Sequence, residues 1–226
     1  ARYIPGTVWG YLNRNEWLAV TYGVPYRISN RGSIYEIALT TLSSIVMIGI
    51  HGIVLVEQGT RRLWVTLLLV FLIIIPYVIF VRISRLKIAD RLFSDSDEYP
   101  IKQYPWQQWF TTLATLIGNW IVYGAMVYLC IKAFGVEFPS FFNFKTIVHF
   151  SGIFSLSWLA GFIILFLPSG LGVREFTLAA LLRTEFPISV PQAAAVSVAA
   201  RLITTTAELM IVVLVMIFLG YQAPKK

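Results

Sequence analysis

Charged residues are scarce in this sequence of 226 residues. They make up 13% of the chain, whereas about 25% is typical of a soluble domain, and apolar residues make up 58%. This balance excludes an ordinary soluble protein and favours an integral membrane protein. The one cysteine, Cys130, excludes an internal disulfide. Because the net charge of +7 comes without a soluble basic domain, we expect contact with anionic lipid headgroups and no binding of nucleic acid.

Motifs that mark common hydrolases and metalloenzymes are missing as well. The sequence has neither His-Glu-x-x-His nor Gly-x-Ser-x-Gly, and every aspartate falls within residues 90–97. We interpret Asp95-Ser-Asp-Glu98 as a solvated linker rather than a metal site, because its carboxylates lack ordered ligand spacing. We therefore expect no enzyme active site, no metal and no cofactor.

Long apolar stretches are what the sequence does have. A membrane-spanning helix needs about 20 residues, and stretches of that kind predict five spans at about 34–56, 63–83, 106–133, 146–167 and 193–219. A sixth stretch at 171–182 is too short to cross and suits a re-entrant or broken helix. The prediction is an all-α, polytopic membrane bundle that forms a single domain over 1–226.

Basic residues in the loops predict the orientation of the bundle. Nine of them precede the first span or lie between the second and third, whereas four lie near the opposite loops. By the positive-inside rule, residues 1–33 and the loop at 84–105 face the cytoplasm.

Polar residues form stripes at helical spacing in three of the predicted spans. By helix they are Glu36, Thr40, Ser44, Met47 and His51; Gln108, Thr112, Thr115, Asn119 and Tyr123; and Arg201, Thr204, Thr205 and Glu208. Stripes that face inward would give the bundle a hydrophilic interior. Two other interpretations stay open, since Ser and Thr also join membrane helices without lining a path, and Glu36 follows Ser33 at capping-box spacing.

Arg201 and Glu208 lie deep within the last apolar stretch, where an ionisable residue is a candidate for function. They are seven residues apart, or about 10 Å along a helix axis. We expect each to have its own partner, with Arg201 free to meet a phosphate, rather than a pair between the two.

The segment Leu-Pro-Ser-Gly-Leu-Gly-Val-Arg-Glu at 167–175 interrupts another apolar stretch. Pro168 ends one helix, Gly170 and Gly172 allow a tight turn, and Arg174 and Glu175 fall in the first turn of the next helix. Free N–H groups at a helix start and an arginine both attract anions. The segment predicts a site for a polar or charged substrate, unless Glu175 only complements the helix dipole.

A second interrupted segment opens the chain. Arg2-Tyr3-Ile4-Pro5-Gly6 precedes an amphipathic stretch that ends at Arg14. Paired segments interrupted by Gly and Pro point to the binding site of a transporter. We assign 1–16 and 168–183 as the two re-entrant segments.

These two segments carry a family resemblance. Arg-Tyr-Ile-Pro-Gly-x-Val-Trp at the start, and later Pro-x-Gly-x-Gly-x-Arg-Glu, resemble the motifs of the lysylphosphatidylglycerol synthase transmembrane-region family, from Arg2 to the helix of Arg201. Its best-known member is the flippase portion of the bacterial multiple peptide resistance factor. The resemblance implies a lipid translocase (flippase) in a bacterial-type plasma membrane, whose cargo in that member is an aminoacylated phosphatidylglycerol. Stand-alone members are linked to glycolipid, polyprenyl-phosphate or hopanoid pathways.

Substrate-binding positions follow from the matching motifs. The first motif contributes Arg2, Pro5, Gly6 and Arg14; the second contributes Pro168, Gly170, Gly172, Arg174 and Glu175; Glu36, Arg201 and Glu208 complete the expected set. Members of the family usually carry further helices before the first motif, so we expect upstream sequence to be missing. The aminoacyl-transfer domain is lacking too, so the chain is not expected to attach lysine to a lipid.

Two other classes of function stay open from the sequence. A membrane-embedded transferase would also need arginines and a carboxylate in a cavity, and an accessory protein would recruit a lipid-synthesis enzyme. The expected partners are membrane lipids, anionic or aminoacylated, and such an enzyme; an oligomer is not excluded. Turnover separates the classes, because a transporter moves lipid unchanged, an enzyme alters it and a scaffold does neither.

Overall fold

The computed structural model of this protein describes residues 7–55, 106–136, 139–164 and 170–219. These ranges contain no strand and fold into α1 (Thr7–Tyr22), α2 (Tyr26–Leu55), α3 (Trp106–Ala133), α4 (Phe144–Ile163), α5 (Val173–Glu185) and α6 (Val190–Leu219). The predicted all-α membrane bundle is thus confirmed. The predicted span at 63–83 and the loop at 84–105 lie outside the described residues.

Four of the helices are long and apolar enough to cross a membrane. Their spanning parts are Ile28–Val54, Gln107–Ala133, Phe144–Ile163 and Val190–Ile211. The chain is therefore an integral membrane protein. In contrast, α5 has 13 residues and a length of about 20 Å, too short to cross, as predicted for this segment.

The first predicted span differs from the structure at its start. We expected it at about residue 34, whereas α2 begins at Tyr26 and includes eight further residues. The capping-box interpretation of Ser33 and Glu36 is wrong for this reason, since both residues lie inside α2. The Ser33 hydroxyl instead donates to Asn15 Oδ1 at 3.1 Å and accepts from Arg14 Nη2 at 2.9 Å. The polar start of α2 is thus stabilised by α1.

The centre of the described bundle is α4, which packs against α2, α3 and α5, while α6 packs against α5 and α3. Small residues allow the close contacts that membrane helices favour. At Gly124 of α3, an added Cβ would lie 2.8 Å from the Cα of Ser151, and at Gly152 it would collide with the His51 side chain. The fully buried side chains of this core include Val127, Ile131, Phe150, Ile153, Leu182 and Val196.

Hydrogen bonds between helices join the same core. The Ser44 hydroxyl of α2 donates to the Ser155 carbonyl at 3.1 Å, and Trp120 Nε1 of α3 donates to the Ser43 hydroxyl at 2.9 Å. Such bonds hold helices together where water is scarce. Ser44 therefore joins two helices, as the alternative interpretation of the Ser and Thr residues stated.

The entry into α5 is a glycine turn held against the end of α4. Gly170 and Gly172 have φ values of +66° and +84°, in the left-handed region that favours glycine. A Cβ at Gly170 would lie 2.7 Å from the Gly161 carbonyl oxygen, so the two backbones nearly touch. This contact places the first turn of α5 beside the last turns of α4.

Candidate functional site

A cavity opens between α2, α3, α4, α5 and α6, with a volume of about 220 Å³. Its charged lining residues are Arg174, Glu175, Arg201 and Glu208, and its other lining residues include Thr40, Asn119, Trp120, Tyr123, Phe154, Trp158 and Thr204. A second cavity of about 200 Å³ adjoins it and shares Thr40, Trp158, Arg174, Arg201 and Glu208. We call the two together the arginine cavity.

The arginine cavity lies at the middle of the membrane-spanning helices. Thr40, Trp120 and Arg201 each fall within about one residue of the midpoint of their spans, Ile28–Val54, Gln107–Ala133 and Val190–Ile211. Ionised side chains at that depth are costly and are retained where they face a polar interior. The depth and the charges together identify this cavity as the candidate site.

Glu175 has two tasks at the start of α5. Its Oε2 accepts a hydrogen bond from the Gly172 N–H at 2.6 Å, and its Oε1 lies 3.4 Å from Arg201 Nε. The carboxylate therefore caps the helix and neutralises Arg201 at once. The pairing with Arg201 is loose, because Oε1 is buried and has no hydrogen-bond donor among the described residues.

Among the described residues, Arg174 is the cation of the cavity that has no acceptor. Its stem occupies the space that Gly161 leaves open, where a Cβ would collide with the Arg174 side chain, and its Cζ lies 5.5 Å from the centre of the Trp158 ring. Among the described residues, its Nε is buried without a hydrogen-bond partner and no ion pair includes it. A guanidinium offers five donors in a fixed fork, so this arrangement can hold an oxyanion.

The charges of the cavity balance. Arg174 lies within electrostatic range of Arg201, which repels it, and of Glu175 and Glu208, which attract it. Glu208 is exposed and, in the part of the chain that the structure describes, forms no ion pair with Arg201. We expected each residue to have its own partner: Arg201 has Glu175, whereas Glu208 has no ion-pair partner among the described residues. Because Arg201 is paired with Glu175, it is not the free cation that we expected.

Arg14 and Glu36 form a second ion pair, outside the cavity. Arg14 Nη1 lies 2.8 Å from Glu36 Oε2, and the Arg14 guanidinium lies 5.1 Å from the Tyr11 ring centre. Tyr11 and Ile37 line the part of the arginine cavity nearest to this pair. The structure therefore divides the predicted site residues into a central cluster and a cluster on α1 and α2.

The other predicted residues have different places. Gly170 and Gly172 shape the turn before α5, and Arg2, Pro5, Gly6 and Pro168 lie outside the described residues. Of the stripe on α3, Asn119 and Tyr123 line the cavity, whereas the exposed hydroxyls of Thr112 and Thr115 donate to carbonyls of their own helix. Sequence reasoning missed Trp158 and Gly161. The close spacing of Ser155, Ser157 and Gly161 in an apolar helix was a signal that this face of α4 approaches other groups.

No set of three His, Cys, Asp or Glu side chains in residues 7–55, 106–136, 139–164 and 170–219 is arranged to hold a metal ion. The polar groups that the cavity does present are two guanidinium groups, two carboxylates, an amide and hydroxyls. With aromatic rings beside them, these groups can bind an oxyanion and a cation side by side.

Comparison with known proteins gives one match. The family model described as "Lysylphosphatidylglycerol synthase TM region" matches residues 3–215, nearly the whole chain. No curated protein and no solved structure matches the chain significantly.

Proposed function

This chain belongs to the lysylphosphatidylglycerol synthase TM region family, and from that premise we propose that it is a lipid translocase. It moves a phospholipid or a lipid-linked headgroup between the two leaflets, and the headgroup passes through the arginine cavity. The family name is consistent with a function that involves membrane lipids. The more specific proposal, that the protein moves a lipid between leaflets, is based on the arginine cavity.

One observation carries the proposal: at the centre of a membrane protein, the Arg174 guanidinium has a buried Nε and no acceptor among the described residues. Desolvating an unpaired charge costs several kcal/mol. The fold nevertheless keeps this group, packs its stem against Gly161 and places its Cζ 5.5 Å from the centre of the Trp158 ring. We infer that the guanidinium is held there to bind a ligand. A lipid phosphate is the anion that a membrane supplies in quantity, and Arg binds it through two parallel hydrogen bonds.

The passage of the headgroup follows from the same contacts. The phosphate binds Arg174 first. Glu175 then moves away from Arg201 and from the Gly172 N–H, and both of these groups become available to bind the anion. The acyl chains stay in the lipid while the headgroup crosses, so only the polar part needs the cavity. When the lipid leaves, Glu175 returns to Arg201 and the charges balance again.

The cargo that we propose is an anionic or aminoacylated phospholipid. Phosphate fits the two arginines. An ammonium on the same headgroup fits Glu208 and the rings of Trp120, Tyr123, Phe154 and Trp158, since a cation is attracted to the face of an aromatic ring.

We further propose that the lipid leaves chemically unchanged, so the protein is not an enzyme. A transferase or an accessory protein would use the same membrane position differently. A transferase would return an altered lipid. An accessory protein would require a synthesis enzyme and would move nothing on its own.

A leaflet-resolved assay tests the proposal. The purified protein is placed in liposomes that hold fluorescent phosphatidylglycerol, its aminoacylated form or a polyprenyl-phosphate lipid, and a membrane-impermeant reductant quenches the outer leaflet. We expect protein-dependent movement of at least one lipid. The Arg174→Ala variant should slow it at least about tenfold, because a charge-assisted Arg–phosphate contact is worth about 2 kcal/mol.

The matched control is Arg183→Ala, which removes an exposed arginine from the same helix, outside the cavity. It should transport at the rate of the unchanged protein. Full transport by a folded Arg174→Ala variant would reject the proposal. If the folded protein moves none of the three lipids, the accessory and transferase functions take its place.

A further inference from the structure

The chain has two histidines, and the structure brings them together. His51 near the end of α2 and His149 near the start of α4 have ring centres 5.2 Å apart, at an interplanar angle of 64°. They are 98 positions apart in the sequence, so only the packing of α2 against α4 makes them neighbours. Gly152 makes room for this contact, because a Cβ there would collide with His51.

Both imidazoles are left with an unused nitrogen. The Nε2 atoms of His51 and His149 are buried and have no hydrogen-bond partner among the described residues. His149 Nε2 lies 3.8 Å from Glu185 Oε2, and this is an ion pair only when His149 is protonated. The Glu185 side chain is 41% exposed while that of His149 is 16% exposed, so Glu185 connects the buried pair with the solution.

Among the described residues, the other charged groups at this end of the bundle are Lys132 on α3, Lys145 on α4 and Arg183 on α5, all exposed. None of these three forms an ion pair with Glu185. His51, His149 and Glu185 together carry one negative charge when both imidazoles are neutral, so the ligand that would neutralise this group is a cation. A proton needs a single lone pair, whereas a metal ion would need more ligands than this group arranges.

His149 lies on α4 and Glu185 on α5, and both helices also line the arginine cavity. On α5, Glu175 and Glu185 are ten residues apart, or about 15 Å along the axis. On α4, His149 stands near the start and Trp158 and Gly161 stand near the end. A charge placed at one end of this pair of helices therefore changes the electrostatic potential at the other, because a protein interior screens charges less than water does.

We propose that His51, His149 and Glu185 form a proton-binding site, and that its occupation is coupled to anion binding in the arginine cavity. The pair binds one proton, since two adjacent imidazolium groups repel each other. That proton completes the ion pair between His149 and Glu185. The coupling half of the proposal rests on the proposed function of the cavity; the proton site does not.

The sign of the coupling follows from charge. The empty cavity is balanced, with two arginines and two glutamates, so an anionic lipid adds one negative charge. A proton on the histidine pair compensates that charge, and each ligand therefore strengthens the binding of the other. Over about 15 Å of protein interior the effect is about fivefold. The anionic lipid and the proton would then bind together, and their charges would cancel.

Titration of the histidines tests the proton site directly. Labelling histidine alone with ¹³C and ¹⁵N gives two imidazole signals in the full chain, because there are two histidines. We expect the two signals to titrate as a coupled pair. Glu185→Gln should lower the proton affinity of His149 at least about threefold, because the neighbouring negative charge is gone. Glu16→Gln, at an exposed carboxylate of α1, is the matched control and should change neither signal.

Two histidines that titrate independently, with midpoints unchanged in Glu185→Gln, would overturn the proton site. Since Glu185 is partly exposed, its variant should fold, and the unchanged remainder of the spectrum verifies this. His149→Gln gives a second test, because His51 should then titrate in a single simple step at a higher pH.

The coupling is measured by repeating the titration with short-chain phosphatidylglycerol, and with short-chain phosphatidylcholine as the lipid without net charge. We expect the anionic lipid to raise the proton affinity of the pair about fivefold. The neutral lipid should not, and neither lipid should do so in Arg174→Gln. Anion binding, followed by tryptophan fluorescence, with no change in the titration would overturn the coupling alone. If no anion binds, the coupling and the proposed function both fail, and the proton site is judged on the titration without lipid.

Discussion

The two arginine–glutamate pairs of this protein show that a short distance and a functional position are different properties. Arg14 and Glu36 are 2.8 Å apart, with side chains 43% and 48% exposed, and Ser33 and Tyr11 support the arginine. Arg201 and Glu175 are 3.4 Å apart, with side chains 24% and 17% exposed. The closer pair is the more exposed one, and an exposed ion pair contributes little. The looser pair is at mid-span, where losing one partner leaves a charge uncompensated.

The long contact between Arg201 and Glu175, which we call the central pair, is informative for this reason. A carboxylate that makes one good hydrogen bond to Gly172 and one long contact to Arg201 is easily displaced from the arginine. Beside it, Arg174 has no acceptor among the described residues. The outer pair fixes α1 on α2, whereas the central pair and the neighbouring Arg174 present two cations that a ligand can bind. The following experiments test that contrast.

The largest effect is expected from Glu175→Gln. The amide keeps an oxygen for the Gly172 N–H but removes the charge that faces Arg201, so the free energy of unfolding should fall by about 3 kcal/mol. Anionic lipid should restore much of this loss, because it supplies the missing charge. Chemical unfolding in detergent, with and without phosphatidylglycerol, measures both. A loss below about 1 kcal/mol would make the central pair equivalent to an exposed one.

Gly161→Ala should follow, because its Cβ would collide with the Arg174 stem in a packed region. We expect a loss of about 2 kcal/mol in stability and slower transport in the leaflet assay, since Arg174 must move. Gly118→Ala on α3 is the control, as a Cβ there meets no atom within 4 Å. Equal behaviour of the two alanine variants would show that Arg174 does not depend on the Gly161 notch.

Replacing Trp158 tests the other support of Arg174. Trp158→Leu removes the ring below the guanidinium and should weaken binding of phosphatidylglycerol about fivefold, as a cation–π contact of about 1 kcal/mol implies. Trp158→Phe keeps a weaker aromatic face, so its affinity for phosphatidylglycerol should lie between those of the unchanged protein and Trp158→Leu. Titration with short-chain phosphatidylglycerol gives the affinities. The same affinity in all three proteins would remove Trp158 from the site.

The smallest effect is expected from Glu36→Gln. The pair with Arg14 is partly exposed, so the loss in stability should be below about 1 kcal/mol and should shrink further in high salt. The loss in Glu175→Gln should depend less on salt, because its pair is more buried. Unfolding at low and high ionic strength compares them. A larger loss at Glu36 than at Glu175 would reverse the contrast drawn above.

The sequence predicted the parts of the fold that depend on apolar length. The span at 106–133 agrees with α3 at both ends, and the short helix before Arg201 appears as α5. The start of α2 was placed too late, because Asn30 and Ser33 are polar and hydropathy counts them as loop. In the structure they bond to Asn15 and Arg14 of α1, so a contact between helices stabilises what composition disfavours.

The site was predictable to the extent that charge in an apolar stretch is rare. Arg174, Glu175, Arg201 and Glu208 stood out for that reason, and they line one cavity. Trp158 did not stand out, because an aromatic residue in an apolar helix has the same sequence pattern whether it faces lipid or a cavity. The pairing of Arg201 with Glu175 and the contact between His51 and His149 depend on how helices meet, which periodicity within one helix does not contain.

The hydrogen bond from the Gly172 N–H to Glu175 has a consequence for how tightly any cargo binds. A carboxylate fixed to the same turn as Arg174 acts as a tethered competitor, present beside the site at a high effective concentration whenever the cargo leaves. Under the proposed function, a headgroup that binds Arg201 must displace this carboxylate, so the apparent affinity is lower than the arginines alone would give. Every departing headgroup is replaced at once, which speeds its release. For the lipid translocase that we propose, weak affinity of this kind would be a property of the turnover cycle rather than a defect of the site.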